Sequence, residues 1–201
     1  MNKKVIAIII IVLVILVGAY QFVFVPYQND QAIKHYNEGL QKASNIDKEI
    51  NQSLDKISNV SSSNITEGLE STAQALKDSE AKYDEKIGIL NSTRNYANGN
   101  ATKEQYIDYE IQIAQIEKDM TSDLIQKYTE MGDAYEKVDL GRMTEISEQM
   151  KNSMNSKANE VKTVQDNLLK LLADNPDLNQ TVQGLNLTED YTGTINVTTI
   201  A

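Results

Sequence analysis

Eight asparagines head an Asn-x-Ser/Thr triplet in which x is not proline: Asn51, Asn59, Asn64, Asn91, Asn100, Asn179, Asn186 and Asn196. Such triplets accept N-linked sugar, a bulky hydrophilic group placed on surfaces that face away from the cytoplasm. Random order of the 19 Asn and 27 Ser/Thr would give only about a third as many. In an organism that carries the transferase these are glycosylation acceptors. In one without it, they are bare triplets of an Asn- and Thr-rich polar surface.

Little else is equipped for reaction chemistry. The chain has no cysteine and one histidine, His35. A disulfide framework, zinc finger, thiol nucleophile or multi-histidine metal site within one chain is therefore excluded. A Ser-His-Asp arrangement would have to run through His35, which is expected at the surface. No Glu-x-x-His pair exists to build a di-iron bundle site. Glu110, Glu117 and Asp123, or Asp78, Asp84 and Glu85, could in principle gather around Ca²⁺ or make an acid/base pair. Interspersed Lys77, Lys82, Lys86, Lys118 and Lys127 instead predict a solvated helix face of ion pairs. Asn175, Asp177 and Asn179 alternate like the start of an EF-hand loop, but Gln180 and Asn186 stand where Gly and Glu are required. Tyr106, Tyr109, Tyr128 and Tyr135 fall on or beside a core stripe, where a ring is buried and its hydroxyl stays wet. Met131, Met143, Met150 and Met154 read as core filler. No catalytic residue, cofactor or metal is expected. With 19 Lys+Arg against 29 Asp+Glu, a net charge of −10, nucleic acid is excluded as a partner.

The elements that carry these residues are of two materials. Of the first 25 residues, 20 are apolar, and the stretch from Val5 to Val25 is uncharged. As a helix it would be about 32 Å long, against a hydrocarbon core of about 30 Å. Tyr20, Phe24 and Tyr27 suit an interfacial aromatic belt. Lys3 and Lys4 precede the span, so residues 1–4 are expected in the cytoplasm and everything from Pro26 onward outside it. That outer part carries 17 Lys+Arg against 29 Asp+Glu. A cleavable signal peptide cut near Val17-Gly18-Ala19 is the alternative, although apolar Phe22-Val23-Phe24-Val25 would then form the new end.

Between Pro26 and Pro176 lie 149 residues without proline and with six glycines. Long helices are thereby permitted. Apolar positions spaced three or four apart predict helices over about 28–60, 65–93, 102–138 and 143–174. Asn64 with Glu67 caps the second, Thr102 with Gln105 the third, and Asn91 to Asn100 form the clearest loop. The last helix stops before Pro176. The expected fold is all-α: one transmembrane helix over residues 5–25, then an extracytoplasmic antiparallel bundle over 26–176. The bundle is either four long helices or a two-rod coiled-coil hairpin. Residues 177–201 hold no Lys or Arg and are expected to be a flexible acidic, Thr-rich tail, with Thr192 to Thr198 β-prone.

One span followed by antiparallel outer helices resembles, in architecture, the LemA-type proteins and, less closely, chemoreceptor sensing bundles. No motif carries a functional residue across. The expected function is a single-pass membrane protein of the cell envelope, non-enzymatic, acting as scaffold, spacer or interaction module through a protein partner or a second copy. The alternative is a ligand-sensing or solute-binding bundle, which calls for a polar cavity lined by tyrosines and carboxylates; a carboxylate-based hydrolase would need two acids converging in a cleft.

Overall fold

The computed structural model describes residues 25–58 and 64–187. Five helices lie among them: α1 (Val25–Ser58), α2 (Ile65–Arg94), α3 (Ala101–Glu136), α4 (Leu140–Asp174) and α5 (Pro176–Gly184). No strand occurs among the described residues. The four long helices have 34, 30, 36 and 35 residues, so each rod is about 45–55 Å long. None of the described helices is long and apolar enough to cross a membrane. The span expected over 5–25 lies, but for Val25, outside the described residues, as do residues 1–4.

Local chemistry sets the ends. Asn64 Oδ1 accepts from Thr66 N at 3.0 Å and opens α2. The cap of α3 is Asn100, whose Oδ1 accepts from Lys103 N at 3.0 Å, in place of the expected Thr102. Asp139 caps α4 through Arg142 N at 2.9 Å. These side chains satisfy helix donors that have no partner of their own. Asn98 and Gly99 both take positive φ in the α2–α3 turn, as an Asn-Gly pair can at little cost. The α3–α4 corner is less comfortable. There Val138 adopts φ 55° while Asp139 N donates to Ala134 O and Val138 N to Tyr135 O. This is a left-handed helix stop with a β-branched residue where glycine is usual, and Val138 is 76% exposed.

Neighbouring rods run antiparallel. Asp47 and Glu49 of α1 meet Lys86 and Lys82 of α2, and Asp84 of α2 meets Lys118 of α3. Thr102 near the start of α3 reaches Asn175 just past the end of α4. The long helices therefore fold back at each connection, and the two-rod hairpin is not the arrangement adopted. Packing is close between α1 and α2, α2 and α3, and α3 and α4, but the seam between α1 and α4 is not closed by comparable contact.

The core divides along the rods. At one end Tyr36, Leu40, Leu90, Tyr106, Ile107, Leu168 and Leu172 form the larger cluster. Farther along α1, Ile46, Ile50, Tyr83 and Ala114 form a smaller one. Small hydroxyls dilute both without stranding polar atoms. Thr72, Ser79, Thr93 and Thr121 are buried, and each donates to the carbonyl four residues back on its own helix. Gly39 lets α1 approach α2, since a Cβ there would stand 2.0 Å from Thr93 Oγ1. Ile33, Ile65 and Val138, within the ranges expected to be helical, are exposed. Ile65 opens α2 and Val138 lies just past the end of α3.

The flexible tail expected from residue 177 is corrected in its first part. Pro176 occupies the first turn of α5, where a missing N–H costs nothing, and Asp177 follows it. Leu178, Val182 and Leu187 are buried in the larger cluster. Asn186 takes φ 55°, Leu187 N donates to Val182 O at 3.1 Å and Asn186 N to Gln183 O at 2.9 Å. The side chains of Leu187 and Val182 then make the apolar contact that accompanies such a stop. Residues 188–201, with Asn196 and the β-prone Thr192 to Thr198, lie outside the described residues.

Leu178→Ala should therefore lower the stability of the full chain by about 2–4 kcal/mol in urea titrations followed by circular dichroism. An unchanged midpoint would mean that α5 is not part of the fold.

Candidate groove with a charged floor

Because α1 and α4 do not close on each other, a groove of about 820 Å³ runs between them. Its α1 wall holds Leu40, Ile50, Leu54 and Ile57, and its α4 wall Met154, Ala158 and Val161. The floor comes from α2 and α3, which contribute Tyr83, Lys86, Glu110, Glu117 and Tyr128. Asn51, Lys162 and Asp166 stand at exposed positions along the walls.

The floor is held by one lysine. Lys86 is only 5% exposed, and its Nζ lies 2.7 Å from Asp47 Oδ1 and 3.7 Å from Glu110 Oε2. Burial works against that charge, but Glu110, Asp47 and Glu117 outweigh it and hold the ammonium above the ordinary lysine range. Three helices are thus tied at one point, α1 by Asp47, α2 by Lys86 and α3 by Glu110. Glu117 lies two turns beyond Glu110 on α3, and none of the described salt bridges includes it. Burial pushes its carboxyl up, Lys86 draws it down, and Asp47 and Glu110 add to the rise, leaving it at about 7. Tyr83 packs beside this group. Burial first, then Glu117 and Asp47, keep its hydroxyl protonated far above the usual tyrosine range.

The expected solvated face is corrected at this point. Lys82, Lys118 and Lys127 do pair on the surface, with Glu49 and Glu85, with Asp84, and with Glu130. Lys86 and Glu110 do not belong to that surface; they are buried on the faces that carry Tyr83 and Leu90 of α2 and Tyr106, Ile113 and Leu124 of α3, and Glu117, half-buried, lines the groove. Asp78 accepts from Gln74 on the outer face. Among the described residues no group of three or more His, Asp or Glu has the arrangement of a metal site. Tyr106 is fully buried, Tyr109 packs against the larger cluster, and Tyr128 and Tyr135 are half-buried.

His35 is exposed at the far end of α1, its Nδ1 3.3 Å from Glu38 and its ring 5.0 Å from that of Tyr96. Of the asparagine triplets, Asn51, Asn64, Asn91, Asn100 and Asn186 are exposed and Asn179 is half-buried. Asn59 and Asn196 lie outside the described residues.

Glu117 retains a proton in the folded chain over a range where an unfolded glutamate, at about 4.5, has lost it. Its contribution to stability is complete below about pH 4.5 and fades as pH rises to about 7. Glu117→Gln should therefore stabilise the chain by about 1–2 kcal/mol at pH 8 and much less at pH 4.5, read by urea denaturation at both values. Equal effects at the two pH values would show that the carboxyl is not perturbed.

No protein-family model, curated protein or solved structure matches this chain.

Proposed function

We propose that this protein is a membrane-tethered binding module of the cell envelope, without catalysis of its own, whose helical bundle receives its partner in the groove between α1 and α4. The groove is the observation that carries the reading. A spacer needs only rods with a dry, continuous core, whereas here one seam stays open over a charged floor. The ligand-binding alternative raised by the sequence asks for a cavity lined by tyrosines and carboxylates; Tyr83, Tyr128, Glu110 and Glu117 line this one. A hydrolase is less well supported, because Asp47 and Glu110 already neutralise Lys86 and are not disposed as an acid and a base across a substrate.

Tethering rests on residues 5–25, uncharged and long enough to span, and on Lys3 and Lys4 before them. The helical region then stands outside the cytoplasm. Its net acidity keeps it clear of anionic lipid headgroups, which favour basic surfaces.

The absence of native cysteine makes sidedness directly testable. Ser71→Cys, on the exposed face of α2, should react with a membrane-impermeant maleimide on intact cells, and Asn2→Cys only after permeabilisation. The reverse pattern would overturn the orientation. A photo-crosslinking residue at Leu54 in the groove should yield a discrete adduct in cells that the same residue at position 71 does not; adducts absent at both would remove the groove as the working surface.

A further inference from the structure

The groove's size, walls and charge narrow what it can hold. Clefts that bury small ligands usually enclose about 300–1,000 Å³. A volume of 820 Å³ lies within that range. A small amphiphile is of the size that such a cleft takes.

The walls supply aliphatic surface from two sides, Ile50 and Leu54 on α1 and Met154 and Val161 on α4. The charged side chains along the groove are four acids, Asp47, Glu110, Glu117 and Asp166, against two bases, Lys86 and Lys162. Lys86 is already shared between Asp47 and Glu110. The floor acid outside the described salt bridges is Glu117, which carries its charge above about pH 7; Met120 of its own helix and Tyr83 of α2 line the groove with it. A carboxylate outside the described salt bridges, with aromatic rings and apolar walls lining the same groove, complements a positive head carried on a hydrophobic body once it is ionised.

We infer that the groove binds an amphiphilic organic cation, its ammonium-type head at Glu117 and its apolar body between α1 and α4. The inference rests on the binding-module reading and deepens it by naming the ligand class. A neutral amphiphile would give Glu117 no ionic partner, and an anionic one would meet the carboxylates of Asp47, Glu110 and Glu117 along the groove.

Methionine methyl resonances report on the groove directly, because Met120 and Met154 line it and Met131, Met143 and Met150 do not. The test uses the full chain with ¹³C-methyl methionine in phosphatidylcholine nanodiscs, titrated with octyltrimethylammonium, 1-octanol and octyl sulfate. Wild type and variants are compared in the same discs, so that partition of each probe into lipid cancels. The expected result is saturable shifts at Met120 and Met154, with the cation at least ten-fold tighter than either control and the remote methyls unmoved. Glu117→Gln should cut that preference at least ten-fold. Ala158→Phe, which fills the groove from the α4 wall, should abolish all shifts at Met120 while the Met143 resonance stays in place as a sign of an intact fold. Equal binding of the three probes, or an undiminished preference in Glu117→Gln, would overturn the cation assignment and leave the groove reading standing. No shift at Met120 or Met154 with any probe would overturn both.

Discussion

A lysine ammonium set between three helices constrains how this bundle can pack. Moving such a charge out of water costs several kcal/mol unless it is paired and hydrogen-bonded. Lys86 meets that demand with Asp47 from α1 and Glu110 from α3. Three rods must hold their mutual register for the pairing to survive, and a dry interior at that level is ruled out. The apolar clusters lie to either side of it, the larger one closed by α5 and the smaller around Ile46, Ile50 and Tyr83. An open seam between α1 and α4 is consistent with this, since closing it would bury Glu117 still further from water while Lys86 is already shared between Asp47 and Glu110.

Much of the helical scaffold was legible because its signals are local. Proline-free length, Asn64 as a cap and the stop before Pro176 each depend on a few neighbouring residues, and the observed ends lie close to the expected ones. Asn100 displaced Thr102 as the third cap by starting α3 one turn's edge earlier, at Ala101. The fifth helix is hard to see in the sequence because acidity and the lack of Lys or Arg resemble the composition of a tail. Its signals were present nonetheless: proline at the first position, Leu178 and Val182 four apart, and an asparagine-leucine pair at the stop.

The charged floor was missed for a different reason. Lysines and glutamates three or four residues apart describe a solvated face and a buried network equally well, since helical spacing does not say which face turns inward. On α3 the inward stripe runs through Tyr106, Glu110, Ile113, Glu117 and Leu124, and it keeps its period only if the two glutamates are counted. A stripe drawn through Tyr109 and Ile116 in their place is more hydrophobic and turns the helix by part of a step. Buried hydroxyls on Thr72, Ser79 and Thr121 belong to the same pattern: this interior is built from residues that satisfy themselves, which leaves room for a polar cavity.

The central claim is that Lys86 and Asp47 are coupled inside the fold. A double-mutant cycle with Lys86→Met and Asp47→Asn, measured by urea denaturation of the full chain at pH 7, tests it most directly. A coupling of about 1.5–3 kcal/mol is expected, with the double variant more stable than the sum of the two losses implies. Losses that add to within about 0.5 kcal/mol would place the pair in solvent and contradict the account.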